Sequence, residues 1–200
     1  MRVIAGQYRS RVLAAPAGLA TRPTSDRLRE TLFNVLAPRI AGARFLDLYA
    51  GSGAVGIEAL SRGAAHVTFV ERAGPALKVL RANLAGLGIV SGFSIHAGTA
   101  TSFLSGPRGG AVEFDVVFLD PPYEAAEEYE ATLTFLGGGN WSPGSQNRDP
   151  GHPAPGFLAD GAVVIAESRR KDGLEDCYGE LVRTRLLEQG DAELSFYARA

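Results

Sequence analysis

The stretch that most constrains this chain is a glycine-rich turn between a short apolar run and a helical pattern. The turn covers Asp47–Gly56 and reads DLYAGSGAVG. Its G-x-G-x-x-G motif lies where a predicted strand becomes a predicted helix, the context in which the motif has meaning. Glycines let the backbone turn tightly and let a ligand approach. The helix N-terminus adds N–H groups that suit a polar or negatively charged part of a ligand. The turn therefore predicts a nucleotide or nucleoside site in an α/β fold.

Two acidic residues narrow the ligand of this turn. Glu71 follows Gly51 by 20 residues, the spacing at which an acid meets ribose hydroxyls in such folds. Asp47 lies close to the first glycine and would repel a pyrophosphate, whereas it would favour the ammonium and sulfonium groups of S-adenosylmethionine. We expect S-adenosylmethionine here. A nicotinamide dinucleotide, an Asp47 that only caps the loop, and a turn with no ligand are the alternatives.

Length and composition indicate one ordinary globular core. The chain has 200 residues, of which 46% are hydrophobic and 21% charged, which fits one sizeable core of an ordinary globular protein. No apolar run reaches the roughly 18 residues of a membrane span, and the first residues do not resemble a signal peptide. Cys177 is the single cysteine, so neither a disulfide framework nor a cysteine zinc site is expected. We expect a cytoplasmic monomer with no membrane partner.

Positive charge is concentrated at the start of the chain. Residues 1–40 carry seven arginines and two acidic residues, although the net charge of the whole chain is −2. Such clustering predicts a phosphate-binding face, and a solvated surface is the alternative. The candidate RNA-binding residues are Arg9, Arg11, Arg22, Arg27 and Arg29.

The N-terminal residues also predict local structure. Arg2–Ala15 is typical of a hairpin of two short strands around residues 7–10. A helix should follow, with Thr24 or Ser25 as its N-cap. Arg27 and Arg29 are predicted to lie off the buried stripe of this helix, which consists of Leu28, Thr31, Leu32, Val35 and Leu36.

From residue 44 onward, predicted strands and helices alternate up to residue 136. This rhythm is typical of a parallel sheet covered by helices. In such sheets ligands bind beyond the carboxyl ends of the strands, so Gly51 and Asp120 should face one cleft. Residues 137–156 contain six glycines and four prolines and predict a flexible loop. The last residues, 181–187 and 193–198, predict an antiparallel pair.

A second motif follows the strand predicted at Phe114–Leu119. It reads Asp120-Pro121-Pro122-Tyr123. The prolines fix the backbone and remove two N–H donors, so the Asp120 carboxylate and the Pro121 carbonyl can accept both hydrogens of an amine. Tyr123 can stack on the flat ring that carries the amine. A strand-ending turn with a solvent-facing tyrosine is the alternative.

This motif suits methylation of an amine on a nucleobase. Such an amine is a poor nucleophile because its lone pair is delocalised into the ring, and two acceptors would hold and aim it. Asp120 could also accept the proton that the nitrogen loses. The chemistry requires no metal. The motif does not distinguish guanine N2 from adenine N6 or cytosine N4.

With both motifs, the chain resembles class I S-adenosylmethionine-dependent methyltransferases, and most closely the RsmD family of 16S ribosomal RNA guanine-N2 methyltransferases. The specific part of the resemblance is Arg22–Leu36, RPTSDRLRETLFNVL, and Glu58–Ala64 resembles the family's first helix after the glycine turn. The resemblance implies a doubly wound, seven-stranded, mostly parallel sheet of the Rossmann-like type. It also implies an N-terminal β-hairpin extension, which we place at residues 1–23, before a methyltransferase domain at 24–200.

The resemblance also implies roles for individual residues. Asp120, Pro121 and Tyr123 would hold the target guanine. The residues expected around S-adenosylmethionine are Asp47, Tyr49, Ala50, Gly51, Ser52, Gly53, Glu71, Arg72, Thr99, Ala100 and Asp120. Thr99 stands where the family usually has Asp or Asn near the adenine. The implied partner is 16S ribosomal RNA or an assembling small subunit. The alternatives are another nucleic-acid amine as target and an assembly factor without catalysis.

Overall fold

The computed structural model of the protein describes residues 1–15, 25–106, 112–122, 126–138 and 157–200. These residues form two compact units, Met1–Phe103 and Leu104–Ala200. The first unit contains the glycine turn and the second contains the residues Asp120 and Pro121. Residues 139–156 of the loop predicted at 137–156 lie outside the described ranges, as do Arg22, Thr24 and Tyr123.

The first unit is built from alternating helices and parallel strands. Its elements are α1 (Asp26–Leu36), β1 (Arg44–Asp47), α2 (Ala54–Ser61), β2 (His66–Glu71), α3 (Gly74–Gly86) and β3 (Phe93–Ala97), and α4 (Ala100–Ser105) begins at its end. The strands lie in the order β3-β2-β1, and both pairs are parallel. This is the strand order of a nucleotide-binding half of a doubly wound sheet.

Helix α1 begins and packs largely as its sequence dictates. The Ser25 side chain accepts a hydrogen bond from the Leu28 N–H, so Ser25 is the N-cap. The buried residues are Leu28, Arg29, Leu32, Phe33 and Leu36, whereas Thr31 and Val35 are only half-buried. The prediction that Arg29 lies off the buried stripe is therefore wrong, since the stripe is rotated toward Arg29 and Phe33. Phe33 stacks on Phe45 of β1, with ring centroids 6.3 Å apart.

The N-terminal residues do not form the two predicted strands. Residues 1–15 contain one isolated antiparallel bridge, between Arg2 and Val12. The chain still folds back on itself, because the Val3 N–H donates to the Arg11 carbonyl and the Leu13 N–H donates to the Met1 carbonyl, at 2.9 and 3.0 Å. Residues 5–10 between them are turns and bends. A regular ladder is absent here because this backbone bonds to helix α2 instead.

The buried carboxylate of Glu58 on α2 anchors this N-terminal segment. Glu58 is fully buried and accepts hydrogen bonds from the Ile4 and Ala5 N–H groups, at 2.7 and 3.0 Å. Its counter-charges are Arg62, whose Nε donates at 2.7 Å, and the buried Arg29, whose Nε lies 4.0 Å away. The Arg29 guanidinium also donates to the Arg2 carbonyl at 2.5 Å. Residues 1–5 are therefore tied to both α1 and α2.

The second unit is a mixed sheet. Its elements are β4 (Phe114–Leu119), α5 (Ala126–Leu136), β5 (Leu158–Arg169), β6 (Cys177–Tyr178), β7 (Leu181–Gln189) and β8 (Ala192–Arg199). The strand order is β4-β5-β8-β7-β6, with β4 and β5 parallel and each of the other pairs antiparallel. The predicted final pair is present as β7 and β8. The described residues contain eight strands rather than the seven expected, and the two-residue β6 was not predicted.

The placement of Glu58 leads to a prediction about stability. We expect Glu58→Ala to lower the free energy of unfolding by about 3–5 kcal/mol, because it removes one of the two carboxylates paired with the buried Arg29, the other being Asp26, and leaves two N–H groups without acceptors. Urea unfolding of the purified protein measures the change. The matched control is Glu30→Ala on the exposed side of α1, which should change stability by less than about 0.5 kcal/mol. An equal effect of the two substitutions would contradict the anchoring role.

Candidate functional site

The glycine turn joins β1 to α2 and is shaped by two positive-φ glycines. Gly51 has φ +53° and Gly53 has φ +82°. A Cβ at Gly53 would lie 2.2 Å from Cδ1 of Leu80 on α3, whereas a Cβ at Gly51 would meet no atom within 4 Å. The turn is therefore packed against α3 at Gly53 and is open at Gly51, which leaves space for a ligand beside the backbone there.

Asp47 caps helix α2 from the end of β1. The N-cap of α2 is Gly53, which has no side chain to supply an acceptor. The Asp47 carboxylate takes that role, because its Oδ2 accepts from the Gly56 N–H at 3.0 Å. Only 1% of the Asp47 surface is exposed. Asp47 was expected to line the ligand site, but its side chain has almost no exposed surface with which to contact a ligand.

Burial alters the acidity of Asp47. Desolvation raises the pKa of this carboxyl to about 7, the Gly56 hydrogen bond opposes the rise, and the nearby charge of Glu71 adds to it. The Asp47 carboxyl therefore changes its charge near neutral pH, directly beneath the open turn.

Glu71 connects the turn to the end of the next strand. Its Oε2 accepts from the Gly51 N–H at 2.8 Å, and its Oε1 accepts from the Ala73 N–H at 2.7 Å. The side chain is half-buried, and each carboxylate oxygen can accept a second hydrogen bond. The spacing of 20 residues thus brings this acid to the glycine turn, with acceptor capacity for hydroxyl groups.

Asn83 on α3 is a polar residue of the turn that the sequence reasoning missed. It is buried, and its Nδ2 donates to the Ser52 carbonyl at 2.9 Å and to the Ala14 carbonyl at 3.1 Å. Its Oδ1 accepts from the Ala14 N–H at 2.8 Å. The available signal was an asparagine in the buried stripe of α3, among Ala76, Leu80 and Leu84.

The remaining predicted ligand residues of the first unit lie around these groups. Ala50 is buried, and its N–H donates to the Val70 carbonyl at 3.0 Å. Tyr49 is half-buried and Arg72 is exposed. Thr99 is the N-cap of α4, since its Oγ1 accepts from the Ser102 N–H at 3.0 Å, and Ala100 is the buried first residue of that helix. Part of the hydrogen-bonding capacity of Thr99 is therefore used by the helix.

In the second unit, the Asp120-Pro121-Pro122-Tyr123 motif begins directly after β4. Asp120 is half-buried, Pro121 is buried and Pro122 is exposed. Tyr123 lies outside the described residues. That Asp120 and the glycine turn face one cleft stays a prediction.

The candidate RNA-binding arginines differ in their availability. Arg9 and Arg27 are exposed. Arg11 is exposed too, and its guanidinium donates to the Gly86 carbonyl at 2.9 Å. Arg22 lies outside the described residues. Arg29 is fully buried and holds the N-terminal segment, so its assignment to RNA contact is replaced by a structural role.

Within the described ranges, no helix is long and apolar enough to cross a membrane. In those same ranges, no three or more His, Cys, Asp or Glu side chains are grouped so that they could hold a metal ion.

The raised pKa of Asp47 leads to a stability prediction. Since the folded state holds this proton more tightly than the unfolded chain, the stabilising contribution of Asp47 is complete below pH 3.8 and is lost as pH rises through about 7. Asp47→Asn cannot titrate and keeps an acceptor for Gly56. Its unfolding free energy relative to the parent chain should therefore rise by roughly 2–3 kcal/mol between pH 5 and pH 8. Urea unfolding across this range measures the difference, and a constant difference would contradict the assignment.

Comparisons with known proteins agree with this architecture. The model of the family described as conserved hypothetical protein 95 matches residues 1–145. Ribosomal RNA small subunit methyltransferase D of Escherichia coli K12 is 39% identical over 87% of this chain and 77% of its own. The Haemophilus influenzae protein of the same name is 41% identical over 70% of this chain and 72% of its own.

Solved structures share the fold. A candidate methyltransferase, yhhF from Escherichia coli, superposes with a TM-score of 0.79 at 35% identity and covers 100% of this chain and 97% of its own. The Thermus thermophilus protein TTHA0928 gives 0.75 at 26% identity, covering 98% of each chain. Two compact units with the strand orders described above therefore make up a Rossmann-like methyltransferase fold. The family match over 145 residues and the relatives at about 40% identity show that the chain belongs to the RsmD family of class I methyltransferases.

Proposed function

We propose that this chain transfers a methyl group from S-adenosylmethionine to the N2 amine of one guanine in 16S ribosomal RNA. The observation that carries the proposal is the Asp120-Pro121 pair directly after β4 in a chain whose relatives are small-subunit ribosomal RNA methyltransferases. Family membership makes the chain an S-adenosylmethionine-dependent methyltransferase of ribosomal RNA. The choice of guanine N2, the individual binding residues and a cytoplasmic monomer belong to the proposal.

The first unit suits a ligand with a cationic end. Carboxylates engage the backbone of the turn at two points, Glu71 at Gly51 and Asp47 at Gly56. Negative charge at this place favours an ammonium or sulfonium group and opposes a phosphate. The open space beside Gly51 would admit the ligand, and the half-buried carboxylate of Glu71 would accept hydrogen bonds from the ribose hydroxyls.

The remaining cofactor residues follow from this placement. We assign the turn backbone, from Tyr49 to Gly53, to the methionine end. Arg72, Thr99 and Ala100 are assigned to the adenine end, because they follow the carboxyl ends of β2 and β3. Asp47 acts through its charge and by holding the turn, since its side chain is buried.

In the second unit, Asp120 supplies the base and the acceptor. S-adenosylmethionine provides a methyl group on a sulfonium, which is already an activated leaving group. The Asp120 carboxylate and the Pro121 carbonyl accept the two amine hydrogens, which keeps the nitrogen lone pair available. Asp120 then stabilises the developing positive charge on the nitrogen and accepts its proton. Tyr123 stacks on the base, which must first be unstacked from the RNA.

We assign RNA binding to the exposed arginines. Arg9, Arg11 and Arg27 are exposed in the first unit, and Arg22 belongs to the same basic stretch of sequence. Contacts of this kind bind phosphates and position the RNA without reading its sequence.

The charge of Asp47 predicts a pH-dependent affinity for S-adenosylmethionine. A cationic ligand favours the ionised carboxylate, whose pKa is about 7 in the free protein. Affinity should therefore rise between pH 6 and pH 8, severalfold and at most about tenfold. Calorimetry at a series of pH values measures this rise. Asp47→Asn is the control for the ligand's own titration, and an identical pH profile in both proteins would contradict the role of Asp47.

The reaction itself is tested by labelled methyl transfer to unmethylated 16S ribosomal RNA and small subunits, followed by nucleoside analysis. We expect N2-methylguanosine. Asp120→Asn should lower kcat by about 10²- to 10⁴-fold with little change in S-adenosylmethionine affinity. The control is Glu113→Gln, just before β4, which should leave kcat unchanged. N6-methyladenosine or N4-methylcytosine would overturn the choice of guanine, and normal turnover of Asp120→Asn would remove Asp120 from the mechanism.

A further inference from the structure

The N-terminal segment and the glycine turn meet at one buried side chain. Asn83 donates to the carbonyl of Ser52 in the turn and to the carbonyl of Ala14 in the segment, at 2.9 and 3.1 Å. It also accepts from the Ala14 N–H at 2.8 Å. The side-chain amide of Asn83 thus bonds to both Ala14 and Ser52, which lie 38 residues apart in the sequence.

Neighbouring contacts keep both parts against α3. The segment is held by Arg11, whose guanidinium donates to the Gly86 carbonyl of α3, and Leu13 of the same segment is buried. On the other side, Leu80 lies so close to Gly53 that a Cβ there would come within 2.2 Å of it. Helix α3 therefore contacts the glycine turn through Leu80 and Asn83. It contacts the N-terminal segment through Asn83 and Gly86.

We propose that Asn83 is a positioning residue that couples the N-terminal segment to the S-adenosylmethionine turn. This inference rests on the proposed function, in which the segment contacts RNA and the turn holds the methyl donor. A displacement of Ala14 breaks two of the three hydrogen bonds of this buried amide, and a buried polar group without a partner is unfavourable. The orientation of the Asn83 amide that bonds both backbone groups of Ala14 is the same one that donates to the Ser52 carbonyl.

Coupling of this kind is reciprocal. If a well-ordered segment favours the ligand-binding form of the turn, a ligand in the turn must order the segment to the same extent. The effect can therefore be measured without RNA, from the response of residues 11–15 to a ligand bound at Gly51.

The test is amide hydrogen exchange of the full chain with and without saturating S-adenosylhomocysteine, the demethylated product. In the parent chain we expect the ligand to slow exchange at least about fivefold both in residues 51–57 and in residues 11–15. In Asn83→Leu, which keeps the volume but not the hydrogen bonds, protection of 51–57 should persist and protection of 11–15 should vanish. Thr68→Val is the matched control, because Thr68 is buried and the substitution removes another side-chain hydrogen bond of this unit, the partly buried one to Ser94.

Each outcome has a defined meaning. Equal protection of residues 11–15 in the parent chain and in Asn83→Leu would overturn the coupling, and so would a parent chain that shows none. Loss of protection at 11–15 in Thr68→Val as well would assign the effect to general destabilisation and overturn the role of Asn83. Absence of protection at 51–57 in the parent chain would instead contradict the assignment of the methyl donor to the turn.

A second variant approaches the coupling from the segment and applies if Asn83→Leu does not fold. Leu13→Ala removes a buried side chain of the segment and changes no residue of the turn, and we expect it to lower S-adenosylhomocysteine affinity at least about fivefold. In the Asn83→Ser background the same substitution should have little effect, because the connection is already broken. Additive losses in the double variant would overturn the proposal.

Discussion

The first unit depends on the hydrogen bonds and ion pairs of one buried carboxylate, that of Glu58. It accepts two backbone N–H groups of the N-terminal segment and faces the cations Arg29 and Arg62. A buried charge is tolerated only when it is paired and hydrogen-bonded. Glu58 and Asp26 together thus compensate the buried charge of Arg29, and the hydrogen bonds to Glu58 replace the strand ladder that residues 1–15 lack. Because Glu58 lies on the helix that begins in the glycine turn, the basic N-terminal segment is anchored to the element that shapes the proposed cofactor site.

The turn itself is organised by acids rather than by its glycines alone. Glycines permit the backbone path, but Asp47 and Glu71 bind its N–H groups and hold it to the ends of β1 and β2. Both carboxylates are at least half-buried, and their proximity contributes to the raised pKa of Asp47. A site with this charge favours a cationic nucleoside over a dinucleotide, which explains physically how one G-x-G-x-x-G pattern serves two classes of ligand.

Much of the fold could be predicted from local signals. The alternation of strands and helices between residues 44 and 136 and the cap at Ser25 follow from hydrophobic periodicity and capping chemistry, and the structure contains them. The failures have a common cause, which is tertiary competition for polar groups. Arg29 was expected to lie off the buried stripe of α1, yet it is buried and paired with Asp26, Glu58 and the Arg2 carbonyl. The predicted N-terminal strands are replaced by hydrogen bonds to Glu58 and Ser61.

The sequence by itself determined the class of the molecule and the positions of its chemistry, since the spacing of Asp47, Gly51 and Glu71 and the Asp120-Pro121 pair are properties of the chain alone. Only the tertiary structure decided how these groups are used. It turned Asp47 inward as a helix cap, brought Glu71 to the Gly51 N–H and placed Asn83 between Ala14 and Ser52. The physical reason is that a polar group's partners are set by whichever backbone packs beside it, and residues far apart in sequence supply that backbone.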